Sequence, residues 1–351
     1  MTTAINEVEI SGRKIGVSYR PFVIAEIGIN HEGDFNKALK MVDDAHSVGC
    51  ECVKFQCHVI EDEMISEARK IVPSNAKTSI WDIMHRCTLT EDEDKKLKDY
   101  VELKGMVYLS TPFSRAAADR LDKMGVEAFK IGSGECNNYP LVEHIAKFGK
   151  PVILSTGMND VESIAKSVEI FRKNNIPYAL LHCTSLYPTP YEKVRLGALE
   201  DLKQEFPDAV LGLSDHSKGN YTCFASIALG AGILEKHFTS DKSWPGPDVA
   251  ISIDPSELKE LIEGSDAVHR ALGGTKEVLP EEQPTIDFAY ASVVSISDIA
   301  RGEKLSRQNI WVKRPGTGEI KAVEYENLLG KIASNDIRCD TQLKYTDVGV
   351  D

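Results

Sequence analysis

Nowhere in the 351 residues does an apolar run approach the length that crosses a bilayer; residues 178–181 are typical, so no transmembrane helix is expected. Basic charge is also short. Lys and Arg number 41 against 54 Asp and Glu, and a net charge of −13 argues against a nucleic-acid partner, because a phosphate backbone calls for a basic surface. The eight cysteines include no C-x-x-C pair and no zinc-ribbon spacing, which leaves buried reduced thiols rather than a disulfide framework. No Walker or dinucleotide glycine fingerprint occurs, so a nucleotide is not implied. Residues 1–6 lack a basic stretch followed by an apolar one, and a cytoplasmic location is therefore expected. What is present is an ordinary soluble composition, 42% apolar and 27% charged, long enough to bury a large core.

Eight short apolar segments read as strands: residues 22–27, 52–55, 107–110, 128–131, 152–154, 178–181, 210–213 and 233–235. Each stops at residues able to bind anions, move protons or hold a metal. Helical patterns separate most of them. Residues 34–48 place Ala38, Met41, Val42 and Ala45 at helical spacing and end at Gly49, suited to a left-handed cap. Thr90 opens another helix, with Glu93 completing a capping box and Leu97, Val101 and Leu103 following before Gly105. Similar patterns follow Ser114, Tyr139, Asp160, Leu196, Asn220 and Asp254-Pro255.

This alternation predicts parallel strands joined by right-handed crossovers, as an open doubly wound sheet or a closed barrel. An open sheet gathers its ligand at one switch point, whereas a barrel uses all eight strand ends. The spread of polar clusters therefore favours an α/β fold of the (β/α)8 TIM-barrel type. Two irregularities stand out: a hairpin over residues 7–17 and a long connection over residues 57–88, a length that usually carries function or disorder. After Gly273 the pattern changes. Residues 274–287, rich in Pro, Glu, Gln and Thr, read as a linker, and 289–296, 310–313 and 343–345 as short strand-like pieces. The expected division is a barrel domain 1–273, a linker 274–287 and a small domain 288–351.

Period-two alternation puts Cys52, Lys54 and Gln56 on one strand face, and sets Lys130 opposite Phe129 and Ile131. An ammonium inside a barrel is costly unless it meets negative charge. Either the two lysines pair structurally with Glu26, Glu135 or Asp215, or they clamp a phosphate or carboxylate. The hydroxyls of Thr111, Ser133, Ser155, Thr156 and Ser214 favour the clamp, since strand-end hydroxyls and turn amides serve oxyanions well. His216 and His237 end the seventh and eighth strands, which are neighbours in a barrel, so their imidazoles can share a cation. Two nitrogen ligands with the other positions open suit Mn²⁺ better than structural zinc, which four protein ligands normally enclose. His182 reads as a supporting residue. Glu26 and Glu135 are candidates for orienting hydroxyls or transferring protons. The loops around Tyr187-Pro-Thr-Pro-Tyr191 and Trp244-Pro-Gly-Pro-Asp248 are stiff enough to shape a pocket.

Glu26-Ile-Gly-Ile-Asn-His-Glu-Gly33, Ser110-Thr-Pro-Phe-Ser114, Lys130-Ile-Gly-Ser-Gly-Glu-Cys-Asn-Asn-Tyr139, Ser155-Thr-Gly-Met158, Gly212-Leu-Ser-Asp-His216, Glu235-Lys-His-Phe238 and Lys313-Arg-Pro-Gly316, taken together, closely resemble the bacterial N-acetylneuraminate (sialic acid) synthase family. The resemblance covers nearly the whole chain. It implies a (β/α)8 barrel joined to a C-terminal antifreeze-like (SAF) domain in a domain-swapped homodimer. It also implies phosphoenolpyruvate held by Lys54, Thr111, Lys130, Ser133, Ser155 and Ser214. Mn²⁺, or another divalent ion such as Mg²⁺ or Co²⁺, would sit on His216 and His237. N-acetylmannosamine would lie near Glu26, Gln56, Asn75, Glu135, Tyr187 and Asp248, with Phe288 and Arg314 reaching over from the partner subunit. Phe55 and Cys57 stand where close relatives often carry His and Thr; Phe55 is expected to point away from the lumen, and Cys57 to alter the fit near the sugar. Legionaminate or pseudaminate synthesis from a diacetamido sugar is the alternative within the family. A lysine Schiff-base aldolase and a non-catalytic binder are the competing classes.

Overall fold

A computed structural model describes residues 6–73 and 77–349. The chain forms two compact units, residues 1–273 and 274–351.

In the first unit, a hairpin of β1 (Val8–Ile10) and β2 (Arg13–Ile15) precedes eight parallel strands. These are β3 (Phe22–Gly28), β4 (Cys52–Cys57), β5 (Val107–Pro112), β6 (Phe129–Ile131), β7 (Val152–Ser155), β8 (Tyr178–Cys183), β9 (Val210–Asp215) and β10 (Ile233–His237). Their order, β5-β4-β3-β10-β9-β8-β7-β6, leaves only the seam between β5 and β6 without a ladder, so the sheet is a nearly closed (β/α)8 barrel. The sequence reading of eight strands alternating with helices holds.

Alternation sorts the side chains into two layers. Ile24, Cys52, Leu109, Ala128, Ile153, Ala179, Leu181 and Ile233 point inward and pack with Val8, Ile10 and Ile15 of the hairpin, which thereby stops the bottom of the barrel. Val53, Phe55, Leu154, Leu180 and Leu213 point outward to meet Met41, Val42, Leu97 and Ile145 from the surrounding helices. The helix starts follow from local chemistry. Asp34 accepts from Asn36 N and Lys37 N to open Phe35–Ser47, whose buried residues are Ala38, Met41, Val42 and Ala45. Thr90 and Glu93 form the expected capping box, as do Asp254 and Glu257. Leu103 departs from the expected buried face and is 84% exposed, because it falls on the solvent side of the last turn of Glu91–Leu103. The long connection after β4 holds the helices Ile60–Glu63 and Ile80–Cys87 with a short 3-10 turn, Ser66–Lys70, between them.

The second unit is built on the antiparallel pair β11 (Ser292–Ser295) and β12 (Ile310–Lys313), around a core of Val293, Ile299, Leu305, Ile310, Ile320 and Leu343. Two expectations change here. Residues 343–345 are not a strand: Leu343 anchors the core, but pairing shrinks to an isolated bridge between Val294 and Gln342, and Tyr345–Asp347 turns as a 3-10 helix. Ala289 closes the short helix Gln283–Ala289, which also occupies the end of the segment read as a linker. Among the described residues no helix is long and apolar enough to cross a membrane.

Candidate active site

The C-terminal ends of the barrel strands surround a cavity of 480 Å³. Lys54 reaches into it from β4. Its ammonium lies 2.7 Å from Glu26 Oε2 and 3.7 Å from Glu235 Oε1, and it donates to Thr111 Oγ1 at 3.1 Å. Lys130, from β6, donates to Ser155 Oγ at 2.7 Å and stands 3.8 Å from Glu235 Oε2. Ser214 donates to Glu235 Oε1 at 3.3 Å. Two ammonium groups and two carboxylates thus share one buried cluster, and they hold as a set because each ion alone would pay a desolvation penalty of several kcal/mol. Burial pushes Glu26 up to about 7 despite its contact with Lys54, whose charge is divided between Glu26 and Glu235. Burial acts on Glu235 in the same direction, but Lys130, Lys54 and His216 outweigh it and hold this carboxyl below its usual range. Asp215, the third carboxylate weighed as a lysine partner, faces the other way. One residue beyond Ser214 on β9, it pairs with buried Lys236 at 2.5 Å outside the lumen.

His216 and His237 face each other across the top of β9 and β10, with ring centroids 5.3 Å apart. A hydrogen bond from His216 Nδ1–H to the Thr184 carbonyl, at 3.0 Å, makes Nε2 the nitrogen that would face a ligand once the ring is neutral. Burial opposes its charge, but Cys183 and the Thr184 carbonyl outweigh it and hold His216 above the usual histidine range, so a cation would have to displace its proton. His237 Nδ1 is buried without a hydrogen-bond partner among the described residues, 3.8 Å from Asp248 Oδ2. Burial, reinforced by His216 and Lys54, holds His237 well below the usual histidine range and keeps its ring neutral. Two facing imidazoles, one of them held neutral, with a nearby carboxylate fit a divalent cation that displaces the proton from His216. Among the described residues no three His, Cys, Asp or Glu side chains form a closed metal-holding group, so such an ion would keep open positions. His182 lies behind the sheet, hydrogen-bonded to the Val194 carbonyl at 2.6 Å.

Ser133, Glu135, Gln56, Tyr187 and Asp248 complete the wall of the same cavity. Ser133 Oγ accepts from Gly157 N at 3.0 Å, and Gly157 has room only for a hydrogen because a Cβ there would come within 2.5 Å of Ser185 Oγ. Burial raises Glu135 to about 7 and Asp248 to about 6. Tyr187 stacks on His216 at 4.2 Å. A second cavity of 340 Å³ adjoins this side, sharing Gln56, Phe113, Tyr187 and Asp248 and adding Met64, Ile80, Ile83 and Met84 from the long connection. Cys57 plays no part in either cavity. It points outward with Phe55, its thiol 3.9 Å from the Ala117 carbonyl, because Gln56 takes the inward position. Asn75 lies outside the described residues. Phe288 and Arg314 belong to the second unit, where the Arg314 guanidinium covers the Phe288 ring at 5.6 Å.

Family models match the chain twice, the NeuB family over residues 41–277 and the SAF domain over residues 290–349. The chain belongs to the NeuB family. It is 37% identical to the N,N'-diacetyllegionaminic acid synthase of Campylobacter jejuni, covering 93% of this chain and 99% of that one. Human N-acetylneuraminate-9-phosphate synthase is 35% identical, over 91% of this chain and 90% of the relative. Among solved structures, the N-acetylneuraminic acid (sialic acid) synthetase of Leptospira borgpetersenii superposes with a TM-score of 0.74 at 33% identity, covering 82% of this chain and 97% of that one. These relatives are sugar-acid synthases, and this NeuB-family chain is an enzyme of that kind.

Sequence reasoning missed three site residues of the NeuB-family chain. Glu235 is the carboxylate that joins the two lysines, and alternation from His237 was the signal that could have found it. Cys183 lines the main cavity with its thiol 3.8 Å from His216 Nδ1. His58 lies in the long connection, where no regular pattern assigned a direction to its side chain. The β3 ladder also breaks register between Glu26 and Gly28, just after alternation from Ile24 has turned Glu26 into the lumen.

Proposed function

We propose that this chain condenses phosphoenolpyruvate with N-acetylmannosamine and water, giving N-acetylneuraminate and phosphate. The observation that carries the reading is the opening of the Lys54 and Lys130 pair onto the same cavity as His216 and His237. Lys54, Lys130, Thr111, Ser133, Ser155 and Ser214 bind the carboxylate and phosphate of phosphoenolpyruvate, displacing Glu26 and Glu235 from full contact with the lysines. His216 and His237 hold a divalent ion, Mn²⁺ first with Mg²⁺ or Co²⁺ as substitutes; when bound it supplies Lewis acidity at the sugar's carbonyl oxygen.

Gln56, Tyr187, Asp248 and Asn75 orient the open-chain sugar so that its aldehyde carbon faces C3 of phosphoenolpyruvate. As C3 attacks, positive charge grows at C2, and the carboxylates of Glu26 and Glu235 stand where they stabilise it. Glu26, raised to about 7, takes a proton from the water that adds at C2 or returns one to the departing phosphate, and Glu135 is the second candidate. The C2–O bond then breaks, leaving a nine-carbon 2-keto acid. Phe288 and Arg314 of the partner subunit cover the N-acetyl end in a domain-swapped homodimer.

A specific feature favours a second substrate, a 2,4-diacetamido-6-deoxy sugar leading to a legionaminate-type product. The adjoining cavity is lined by Met64, Ile80, Ile83 and Met84 with Glu63 and Asp248, and its described lining includes no Lys or Arg. Such a wall accepts methyl and acetyl groups and rejects a sugar phosphate. Phosphate release from phosphoenolpyruvate with Mn²⁺ and each sugar decides between them. Preference for N-acetylmannosamine supports the first reading, and preference for the diacetamido sugar supports the second. Release that persists unchanged after chelation contradicts the metal assignment.

A further inference from the structure

A chain of hydrogen bonds runs from the adjoining cavity to the centre of the site. Glu63 Oε2 lies 2.8 Å from His58 Nδ1, His58 Nε2 lies 3.0 Å from Gln56 Oε1, and Gln56 Nε2 donates toward Glu26 Oε1 at 3.4 Å. His58 is only 3% exposed, and its ring stacks on Phe113 at 4.6 Å and 9°. The wall fixes the plane of the ring and directs one nitrogen at Glu63 and the other at the Gln56 amide. A hydrogen on Nε2 donates to the Gln56 carbonyl, which leaves the Gln56 NH₂ turned toward Glu26 and the pocket. In this orientation the Gln56 NH₂ donates toward Glu26 Oε1, and the reversed amide would set oxygen against that carboxylate whenever Glu26 is ionised.

From this geometry we infer that His58 is a positioning residue, which holds Gln56 so that its NH₂ faces the substrate pocket as a donor. Glu63 anchors His58 from the far side. Gln56 borders both cavities, so its amide meets oxygen atoms of the acceptor sugar rather than the enolpyruvate anion, which sits on the lysines. Losing His58 frees the amide to rotate, and the acceptor then meets a carbonyl oxygen where it had a donor. The inference rests on the reading of the site as one that takes an oxygen-rich acceptor beside phosphoenolpyruvate.

Steady-state kinetics of His58→Phe, His58→Gln and Glu63→Gln test it, with thermal melts alongside. His58→Phe keeps the stack and removes the donor, and its KM for the acceptor should rise roughly 10–100-fold while that for phosphoenolpyruvate stays within about twofold. His58→Gln returns an NH₂ to the same place and should recover most of the loss. Glu63→Gln should raise the acceptor KM in the same direction by a smaller factor, and it is read alone if His58→Phe does not fold. An acceptor KM within about twofold of wild type in the variants that fold, or a parallel rise in both KM values, overturns the assignment. Wild-type protein that releases no phosphate with any acceptor contradicts the functional reading instead.

Discussion

Lys130 donates to Ser155 and faces Glu235 from inside the barrel, so removing its charge takes a donor from the anion and strands a buried carboxylate. Lys130→Met should lower kcat/KM for phosphoenolpyruvate at least about 100-fold, the scale of one lost anion donor in a water-poor site. A loss under fivefold would mean that the lysine is structural. Glu135 carries a pH-dependent prediction. Its folded value of about 7 lies above its ordinary 4.5, so between these the folded state binds more protons than the unfolded one, and stability falls as pH rises through that window. Glu135→Gln cannot ionise and escapes this loss. Its melting temperature relative to wild type should climb by about 2 °C between pH 5 and pH 8, and a difference that is flat with pH would contradict the burial argument. At this scale the sequence revealed residues on regular strands, such as Lys54 and Lys130, because alternation assigns a face. It concealed His58, whose direction depends on Phe113 in the turn after β5, and Glu235, whose role depends on lysines distant in sequence.

Capping residues and apolar spacing were readable because they are local. Asp34, Thr90 and Asp254 announce their helices within four residues, and all eight strands are bounded by turn chemistry. The bulge at Glu26 and Gly28 was not readable, since it arises from the register of β3 against β4. Gly28 sits at φ +54°, and a Cβ there would lie 3.0 Å from Glu26 Oε1 and 3.3 Å from Gln56 Nε2. Gly28→Ala should therefore cut kcat at least about tenfold while lowering stability by roughly 1–2 kcal/mol. The hairpin at the other end gives the opposite signature. Ile10, 1% exposed in the inner core, should cost about 2–4 kcal/mol in urea unfolding when replaced by Ala, with both KM values unchanged. Altered KM values in Ile10→Ala would show that the barrel bottom and the site are coupled.

For the whole molecule, the order of strands and helices made the barrel legible, whereas the second unit was harder to read because few of its residues lie in repeating elements. Its expected third strand dissolved into a single bridge at Val294 and Gln342. The swapped arrangement has its own test. Mixing Arg314→Ala subunits with Lys54→Met subunits should restore about a quarter of the wild-type sites, since half the dimers are mixed and each rebuilds one intact site. No rescue would place Arg314 with its own barrel. The most direct test of the central claim uses phosphoenolpyruvate labelled with ¹⁸O in the C2–O bridge, together with Mn²⁺ and N-acetylmannosamine. If the condensation proceeds by C–O cleavage, the label leaves in the phosphate as a nine-carbon 2-keto acid forms; label retained in the organic product, or no such product, would contradict that course.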